Sequence, residues 1–486
     1  MQAVYDALNW VDGNILWGIP MIALIIAVGI FLTIRSKFFQ VRKLGLSIKH
    51  TVGGSIKAMK NNQKTDDPNA ISPFEAFSTA VSGTVGTGNI VGVTTAIVSG
   101  GPGAVFWMWI SSFFGMFTKF SEITLGLYYR KKNSKGEFIG GPMLYIENGA
   151  KCKWLAVMFA VFTLLASIGI GSVQADTIQK TWNEAFSVPI WVSAIVIVVL
   201  AALVLLGGLK RIGRVASLIV PFMIIFFLVM AIILVLVHIT AVPAAFASIF
   251  TSAFSTESML GGFLGYGIAT AMRYGFARGV FSNEAGLGSA PIAHSTSATK
   301  EPVEQGFWGI FEVFIVSFGV CTLTALLVLT SGVDGNAIGD GAKVAMHAFS
   351  DTFGLFGRIS YSIILPLFAF STLLTWGLYG AKATEYLFEK KQKGAVTVFN
   401  IIYLVIIFGI AMLTLFCGEN LGSDFVWLLA DMTNALMALP NLIALALLSG
   451  MVIKITKNYF DRKKGLPVAP MITAYDDSGF IKKEEK

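Results

Sequence analysis

Charge is scarce in this sequence. Only 13% of its 486 residues are Asp, Glu, Lys or Arg, while 55% are hydrophobic and the mean hydropathy is +0.73. Because about a quarter of the residues in a soluble protein are charged, this composition excludes a water-soluble multidomain enzyme. Cysteine is also rare. The three cysteines stand far apart, which argues against a disulfide framework or a cysteine-based metal cluster.

Long apolar runs, by contrast, recur along the whole chain. A helix needs roughly 20 apolar residues to cross a bilayer. Runs of that kind predict an all-α polytopic membrane protein with eleven spans, at about 14–34, 74–99, 104–128, 154–173, 189–207, 215–238, 258–289, 305–331, 359–385, 396–416 and 426–453.

The few basic residues predict the orientation of these spans. Loops on one side of the predicted bilayer hold 29 Lys and Arg residues, and loops on the other side hold three. Since basic loops stay in the cytoplasm, we expect a plasma-membrane protein with its N-terminus outside and its C-terminus inside. Topology thereby accounts for the net charge of +8, and no nucleic-acid partner is expected. Segment 38–60 alternates basic and apolar residues at helical spacing, which predicts an interfacial helix on membrane lipid.

The second predicted span is interrupted near its middle. It reads SGTVGTGN at 82–89, with three glycines that weaken a helix at a depth where backbone groups lack water. Such backbone is tolerated where it lines a cavity or binds a ligand. The stretch lacks the Gly-Lys-Ser/Thr ending of a phosphate loop and misses the dinucleotide spacing by one residue. Close helix packing through Gly88 and Gly92 is an alternative explanation.

The seventh predicted span has a similar composition. It carries eight glycines between Gly261 and Gly288, and it includes Arg273, Arg278 and Glu284. Charged residues at membrane depth are costly unless they pair or meet water, so they are functional candidates. The span is also about ten residues longer than a straight crossing needs. Both features predict a broken helix or one that extends into the cytoplasm.

Two broken helices five spans apart predict an inverted repeat, in which spans 2–6 correspond to spans 7–11 around a midplane binding site. In the second span, the first half-helix is expected to end near residues 81–83 with free carbonyls. The second half is expected to begin near Gly88 with free N–H groups. Carbonyls suit Na⁺ or an ammonium group, and N–H groups suit a carboxylate. A zwitterionic α-amino acid together with Na⁺ fits both ends.

Several stretches resemble the alanine or glycine:cation symporter family, over about residues 15–455. They are SPFEAF at 72–77, GTVGTGNI at 83–90, GGPG at 100–103, GVFSNEAGLGSAP at 279–291, FSTLLTW at 370–376 and YG at 379–380. The resemblance implies a sodium-coupled importer of small neutral amino acids, with a leucine-transporter-like core of ten spans behind one peripheral helix. We therefore expect a first helix and interfacial helix at 1–72, repeats at 73–240 and 241–454, and a basic cytoplasmic tail at 455–486.

The same motifs carry the residues expected at the site. In the ninth span, hydroxyls on one helix face suit a Na⁺ shell, although hydrogen bonding back to the helix is the alternative. Asn89 either caps the second half-helix or contacts the substrate, and Trp376 either walls the pocket or anchors at an interface. The expected substrate-binding residues are Thr84, Gly86, Thr87, Gly88, Asn89, Phe281, Thr372 and Trp376. The expected Na⁺ ligands are Val81, Gly83, Ser371 and Thr375. Arg278 and Glu284 are expected to form an ion pair on the cytoplasmic side, which is either a gate that opens during transport or a static structural pair.

Other buried polar residues are weaker candidates. Gln174 and Asp176 are candidates for the extracellular entry, although a solvated helix end is the favoured alternative for Asp176. Glu312 is placed to pair with Lys119, with Lys382 or with an arginine of the seventh span. Asp431 and Asn434 also lie in a predicted span, without an assigned role.

Four other functions compete with sodium:alanine or sodium:glycine symport. A proton-coupled amino-acid symporter would use Glu284 or Glu312 as the proton carrier, and a sodium:glutamine carrier would share the fold. An intramembrane enzyme lacks a readable nucleophile–base pair, since the four histidines are scattered. An ion channel lacks a filter-like repeat. We therefore expect a carrier, not an enzyme, with Na⁺ as the coupling ion.

Overall fold

The computed structural model describes residues 2–61, 67–254, 266–333, 335–417, 419–476 and 481. The N-terminal part of the chain contains two short helices and two longer ones. They are α1 (Gln2–Val11), which continues into a π-helical turn at Asp12–Leu16, α2 (Ile19–Arg35), α3 (Phe39–Arg42) and α4 (Leu44–Asn61). The predicted interfacial segment 38–60 is therefore helical, with one interruption at Lys43.

The first repeat follows. Its helices are α5 (Pro73–Thr84), a 3₁₀ turn at Thr87–Asn89, α6 (Val91–Gly100), α7 (Gly103–Tyr128), α8 (Pro142–Asn148), α9 (Lys153–Phe186), α10 (Ile190–Leu205) and α11 (Leu209–Val237). Between α7 and α8 lies a two-stranded antiparallel hairpin, β1 (Lys131–Lys132) and β2 (Phe138–Ile139), in which Lys131 is opposite Ile139.

The helices of the second repeat follow. After a 3₁₀ turn at Ile239–Ala241 come α12 (Val242–Phe254), α13 (Tyr266–Asn283), α14 (Ala290–His294), α15 (Pro302–Val313), a π-helical stretch at Phe314–Cys321, α16 (Thr322–Thr330), α17 (Gly335–Ile338) and α18 (Gly341–Phe353). The chain then forms α19 (Leu355–Leu387), a 3₁₀ turn at Glu389–Lys391, α20 (Gln392–Cys417) and α21 (Glu419–Lys463).

Eleven spans can be assigned among the described helices. Among the described residues, seven helices are long and apolar enough to cross a membrane without interruption. Of the other four spans, span 2 (α5 and α6) and span 7 (α13 and α14) are broken. Span 3 (α7) carries the buried charged residues Lys119 and Glu122, and span 5 (α10) has 16 residues. The first part of the predicted seventh span, with Gly261, lies outside the described residues.

The two broken spans lie at the centre of the molecule. Span 4 (α9) and span 9 (α19) pack against each other, and α19 also packs against α5 and α14 of the broken spans, so the middle residues of both helices are buried. The hairpin lies beyond the end of α7, and we call this the hairpin side. The opposite side contains a cavity of about 660 Å³ lined by residues such as Asp12, Asp176 and Asp431, and we call it the vestibule side.

The first helix is less peripheral than predicted. The indole N–H of Trp17, which follows the π-helical turn, donates to the carbonyl of Asp431 in α21 at 2.9 Å. Asp12 lines the vestibule, and a Cβ on Gly13 would lie 2.6 Å from the guanidinium of Arg273. The start of the chain therefore forms part of the vestibule wall.

Candidate functional site

The break in span 2 is framed by two well-formed half-helices. The first, α5, begins with a capping box in which Ser72 and Glu75 bond each other's backbone N–H groups at 3.1 and 2.8 Å. It ends at Thr84, within three residues of the predicted 81–83, because Val85 leaves helical geometry at φ −92°, ψ 83°. The second half, α6, begins after the 3₁₀ turn that contains Gly88.

The break in span 7 lies opposite. Its first half, α13, ends at Asn283, and Glu284, Gly286 and Gly288 all have positive φ angles. Glu284 adopts this left-handed conformation at φ 55° despite its side chain, which a non-glycine residue does rarely. The sequence prediction of a broken helix is confirmed, and the break occupies residues 284–289.

A small cavity lies between the two breaks. Its volume of about 10 Å³ is roughly the space that one water molecule requires. The lining combines both breaks with spans 4, 9 and 11, and consists of Gly83, Thr84, Gly86, Gly88, Ile170, Gln174, Phe281, Glu284, Thr372, Trp376 and Asn434. Six of the eight expected substrate-binding residues therefore line one cavity.

Glycine is required at the break by space as well as by backbone geometry. A Cβ on Gly88 would lie 2.5 Å from Cδ1 of Phe281, and one on Gly83 would lie 2.9 Å from the hydroxyl of Tyr379. A Cβ on Gly86 would collide with the hydroxyl of Thr372. The alternative explanation by close packing through Gly88 and Gly92 therefore holds at Gly88, whereas a Cβ on Gly92 would make only ordinary contact with Arg278, at 3.6 Å.

Several polar atoms around the cavity have no hydrogen-bond partner within the described part of the chain. They are one carboxylate oxygen of Glu284, the amide nitrogen of Gln174, the hydroxyl of Thr87 and both amide atoms of Asn434, and all are buried. Such groups are usually satisfied, because an unpaired buried polar group costs about 1–3 kcal/mol. Donors and acceptors that converge on one cavity without partners are what a polar ligand would satisfy.

Oxygen atoms cluster where span 9 meets the end of α5. The hydroxyl of Thr372 donates to the carbonyl of Ser82 at 2.7 Å, and that of Thr375 donates to the carbonyl of Thr79 at 3.1 Å. The hydroxyls of Ser82 and Thr375 are also in contact. Two spans thereby supply five oxygens, the ligand type that Na⁺ requires, within one cluster.

The expected Na⁺ ligands are only partly in this cluster. Thr375 is, and Gly83 follows Ser82 directly. The carbonyl of Val81 already accepts the N–H of Val85 at 2.6 Å. Ser371 donates to the carbonyl of Phe368 at 3.0 Å, which is the back-bonding alternative.

Two expected substrate ligands lie beside the cavity instead of lining it. The side-chain oxygen of Asn89 accepts the N–H of Gly86 at 3.0 Å, and its amide nitrogen donates to the carbonyl of Ser282 at 3.2 Å. Asn89 therefore caps the turn and ties it to span 7, as the capping alternative predicts. Thr87 donates its backbone N–H to Gln174 at 3.4 Å.

The expected ion pair between Arg278 and Glu284 is not formed. Arg278 instead makes a bidentate pair with Asp431 of α21, at 3.0 and 2.9 Å, and it lines the vestibule, on the side opposite the hairpin. Glu284 accepts the hydroxyl of Ser289 at 2.6 Å and turns its other oxygen to the cavity. The helical rotation between positions 278 and 284, followed by the break, directs the two side chains to different layers.

Arg278 and its neighbours separate the cavity from the vestibule. The ring of Phe281 lies 5.8 Å from that of Trp427, and the guanidinium of Arg278 lies within 5.7 Å of both ring centres. Phe281 lines the cavity, whereas Trp427 lines the vestibule. A layer of two rings and one ion pair thus covers the cavity.

A second ion pair lies on the other side of the cavity. Lys119 of span 3 and Glu312 of span 8 are 2.7 Å apart, and both are completely buried. The same ammonium donates to the carbonyl of Asn283 at 2.7 Å, and Thr84 donates to Glu312 at 2.6 Å. One pair therefore holds the ends of α5 and α13, and Lys119 is confirmed among the partners predicted for Glu312.

Sequence reasoning missed part of the cavity wall. Gln174 was expected at the extracellular entry and Asn434 had no assigned role, yet both line the cavity, as does Ile170. Their positions depend on how spans 4 and 11 rotate, and no local motif marks that rotation. The sequence signal that could have identified Gln174 and Asn434 as cavity residues is a polar amide inside an apolar run.

Two broken helices around a polar cavity, inside ten packed spans, define a membrane carrier of the leucine-transporter fold. Solved structures with this fold are similar in shape. A manganese transporter from Eremococcus coleocola superposes with a TM-score of 0.56 at 14% identity, covering 79% of this chain and 84% of that one. MhsT bound to L-phenylalanine superposes with a TM-score of 0.54 at 13% identity, covering 81% and 99%. Identities this low show the fold alone.

The chain belongs to the sodium:alanine symporter family, whose sequence profile matches residues 1–471. The sodium/alanine symporter AgcS of Methanococcus maripaludis is 38% identical, over 93% of this chain and 96% of the relative. The probable sodium/glutamine symporter GlnT of Bacillus subtilis is 34% identical, over 96% and 92%. An uncharacterized transporter of Haemophilus influenzae is 39% identical, over 99% and 100%.

Proposed function

We propose that this protein is a secondary carrier that imports a small neutral amino acid, such as alanine or glycine, together with Na⁺ by alternating access. The observation that carries the proposal is the set of unpaired buried polar groups around the cavity between the two breaks. Glu284 offers an acceptor, and Gln174 and Asn434 offer amide groups. A zwitterion satisfies such a mixed set, whereas an apolar ligand would leave it unpaired.

The geometry supports a small side chain on the substrate. Phe281 and Trp376 lie on the cavity wall and are almost fully buried, with 9% and 1% of their surface exposed. In this closed conformation the cavity is about the size of a water molecule, so ligand entry requires the wall to separate. A methyl group needs little separation, while the longer side chain of glutamine needs more. We therefore favour alanine or glycine over glutamine.

The oxygen cluster of spans 2 and 9 supports Na⁺ as the coupling ion. Thr372 and Thr375 each bond a carbonyl of α5, so a cation there would hold the two spans together. Organising α5 in this way would also shape the adjacent cavity. Affinity for the amino acid should then rise with Na⁺, and affinity for Na⁺ should rise with the amino acid, because linkage is reciprocal.

Orientation and surroundings complete the proposal. The hairpin side carries the basic loops and faces the cytoplasm of a plasma membrane, so the vestibule side faces outward. Outer faces of α10 and α11 expose large apolar side chains such as Leu203, Leu218 and Phe222, which suit contact with lipid. The repeats at 73–240 and 241–454 would rock against each other around the cavity.

A gradient experiment tests the proposal. The purified full chain, reconstituted in proteoliposomes, is expected to accumulate radiolabelled alanine when Na⁺ is imposed outside and K⁺ inside. Accumulation should stop when K⁺ replaces Na⁺ on both sides. Uptake that does not need the gradient, or that a proton gradient alone drives equally well, would contradict the proposal. Competition by unlabelled glycine, glutamine and D-alanine measures the preference among substrates.

A second prediction concerns the ion pair in the layer over the cavity. Asp431→Asn keeps the size of the side chain and removes the charge that pairs with Arg278. Loss of one partner of a hydrogen-bonded charge pair acts mainly on dissociation. We expect bound alanine to leave about tenfold faster after dilution, since a charge-assisted pair contributes more than 1 kcal/mol.

The matched control is Asp424→Asn. Asp424 lines the same vestibule, and Arg278 bonds Asp431 rather than Asp424. Its release rate is expected to equal that of the unsubstituted protein. An unchanged rate in Asp431→Asn would show that the pair does not close the cavity.

A further inference from the structure

A second buried carboxyl group lies beside the break of span 7, outside the candidate site. Glu122 of span 3 is completely buried. One of its carboxyl oxygens accepts the backbone N–H of Gly286 at 2.9 Å and the amide nitrogen of Asn441 at 2.6 Å. The other oxygen has no hydrogen-bond partner among the residues that the structure describes. Burial with one unsatisfied oxygen is unfavourable for a carboxylate.

The ammonium group near Glu122 is engaged by other groups. Lys119 lies one turn earlier on the same helix, but its ammonium already donates to Glu312, to the carbonyl of Asn283 and to Thr84, at 2.7, 2.7 and 3.3 Å. An ammonium group has three donors, so all are used. No ion pair involving Glu122 occurs in the described ranges.

The other titratable groups nearby do not change this balance. Tyr145 of α8 donates to the side-chain oxygen of Asn441, which turns the amide nitrogen of Asn441 toward Glu122. His294 of α14 lies 3.3 Å from Glu312, the partner of Lys119. Glu284, on the break itself, adds a second negative charge.

The balance of buried charges around Glu122 indicates that its partner is a proton. Lys119 and Glu312 neutralise each other. Under the proposed function, on which this step rests, Glu284 meets the ammonium group of the substrate or Na⁺. Glu122 then remains as a buried charge without a counterion, and burying such a charge costs several kcal/mol. A proton on Glu122 removes the charge and supplies a hydrogen to the unpaired oxygen.

We propose that Glu122 is a proton-binding site controlled by the break of span 7. The carboxyl group carries a proton while Gly286 lies against it. When residues 284–294 move away on the hairpin side, water reaches the carboxyl group and the proton passes to that water. Closing the break again requires a proton from the same side. The carrier would therefore respond to the pH of the compartment that it fills.

The sign of the pH effect follows from proton linkage. The closed form binds one proton more than the open form, so a rise in pH on the hairpin side favours the open form. The limit is about tenfold per pH unit, because a single proton is involved. Closure is needed for each return of the empty carrier, so uptake at saturating alanine should slow as the pH of that compartment rises.

Two measurements on Glu122→Gln test the proposal. Glutamine is neutral and has the shape of a protonated glutamate, so the variant should fold and bind alanine. The infrared difference spectrum between the unsubstituted protein and the variant should contain the C=O band of a protonated carboxylic acid, without any substrate present. In proteoliposomes, each unit by which the pH on the hairpin side is raised should slow uptake several-fold in the unsubstituted protein. The same change should slow uptake less than twofold in the variant.

The control is Glu184→Gln, at an exposed carboxylate that pairs with Lys343 at the surface. It should keep both the infrared band and the pH dependence. Absence of the band from the difference spectrum of Glu122→Gln overturns the proposal, as does identical pH dependence in Glu122→Gln and the unsubstituted protein. If the unsubstituted protein takes up no alanine, the proposed substrate is wrong, while the infrared band still decides the protonation of Glu122.

Discussion

Lys119→Met is expected to destabilise the protein by about 3–5 kcal/mol, the largest effect of any substitution considered for this fold. Methionine fills a similar volume but leaves the carboxylate of Glu312 buried without its ammonium partner. The carbonyl of Asn283 also loses its donor, since Lys119 bonds it at 2.7 Å. Both helix breaks are attached to this pair, so alanine binding should fail together with folding.

The expected result can be separated from a mere loss of packing. In the double variant Lys119→Met with Glu312→Gln, neither position of the pair keeps an uncompensated charge, and most of the lost stability should return. Lys131→Met is the control, because its partner Glu389 is 68% exposed and surface pairs contribute little. Thermal unfolding in detergent, followed by tryptophan fluorescence, measures all three. A double variant as unstable as Lys119→Met would contradict this explanation.

Glu284→Gln is expected to weaken alanine binding by about 10- to 100-fold. Its unpaired oxygen lines the cavity, where it is suited to accept from the substrate ammonium group. A hydrogen bond to a charged group contributes about 1.5–3 kcal/mol, which gives this range. Glutamine keeps the size of the side chain and can still accept from Ser289, so the fold should survive.

Equilibrium binding of radiolabelled alanine to the purified protein measures this effect, with Glu184→Gln as the control at an exposed carboxylate. Thermal unfolding of the variant should match that of the unsubstituted protein, which would separate lost binding from lost folding. Unchanged alanine affinity in Glu284→Gln would show that the carboxylate does not face the ammonium group.

Much of the fold was readable from the sequence, since its physical causes are local. Glycines within apolar runs mark the breaks, and the structure places them at 85–90 and 284–289. Phe281 and Trp376 also follow from their motifs. Rotation about a helix axis was harder to predict. Ser371 and Thr372 are both neighbours of Thr375 on a helix, and only the packing of span 9 selects Thr372 to reach the carbonyl of Ser82.

Long-range charge pairing was beyond local reasoning. Arg278 and Asp431 are separated by 153 positions, whereas Glu284, the predicted partner, is only six residues away. Pairing depends on how α21 crosses α13, which neither sequence segment encodes alone. For the same reason, Glu122 did not stand out. Its contacts with Gly286 and Asn441 depend on how the break of span 7 and α21 pack against α7.

Helix α21 is much longer than one membrane crossing requires. At about 1.5 Å per residue, its 45 residues extend about 68 Å, more than twice the roughly 30 Å of the bilayer core. Along this length it presents Asp431 to Arg278, Asn434 to the cavity, Asn441 to Glu122 and Arg462 to Glu301. One continuous helix therefore contacts the layer over the cavity, the cavity itself and the carboxyl group beside the break of span 7. Displacing it at one of these places would disturb its contacts at the others.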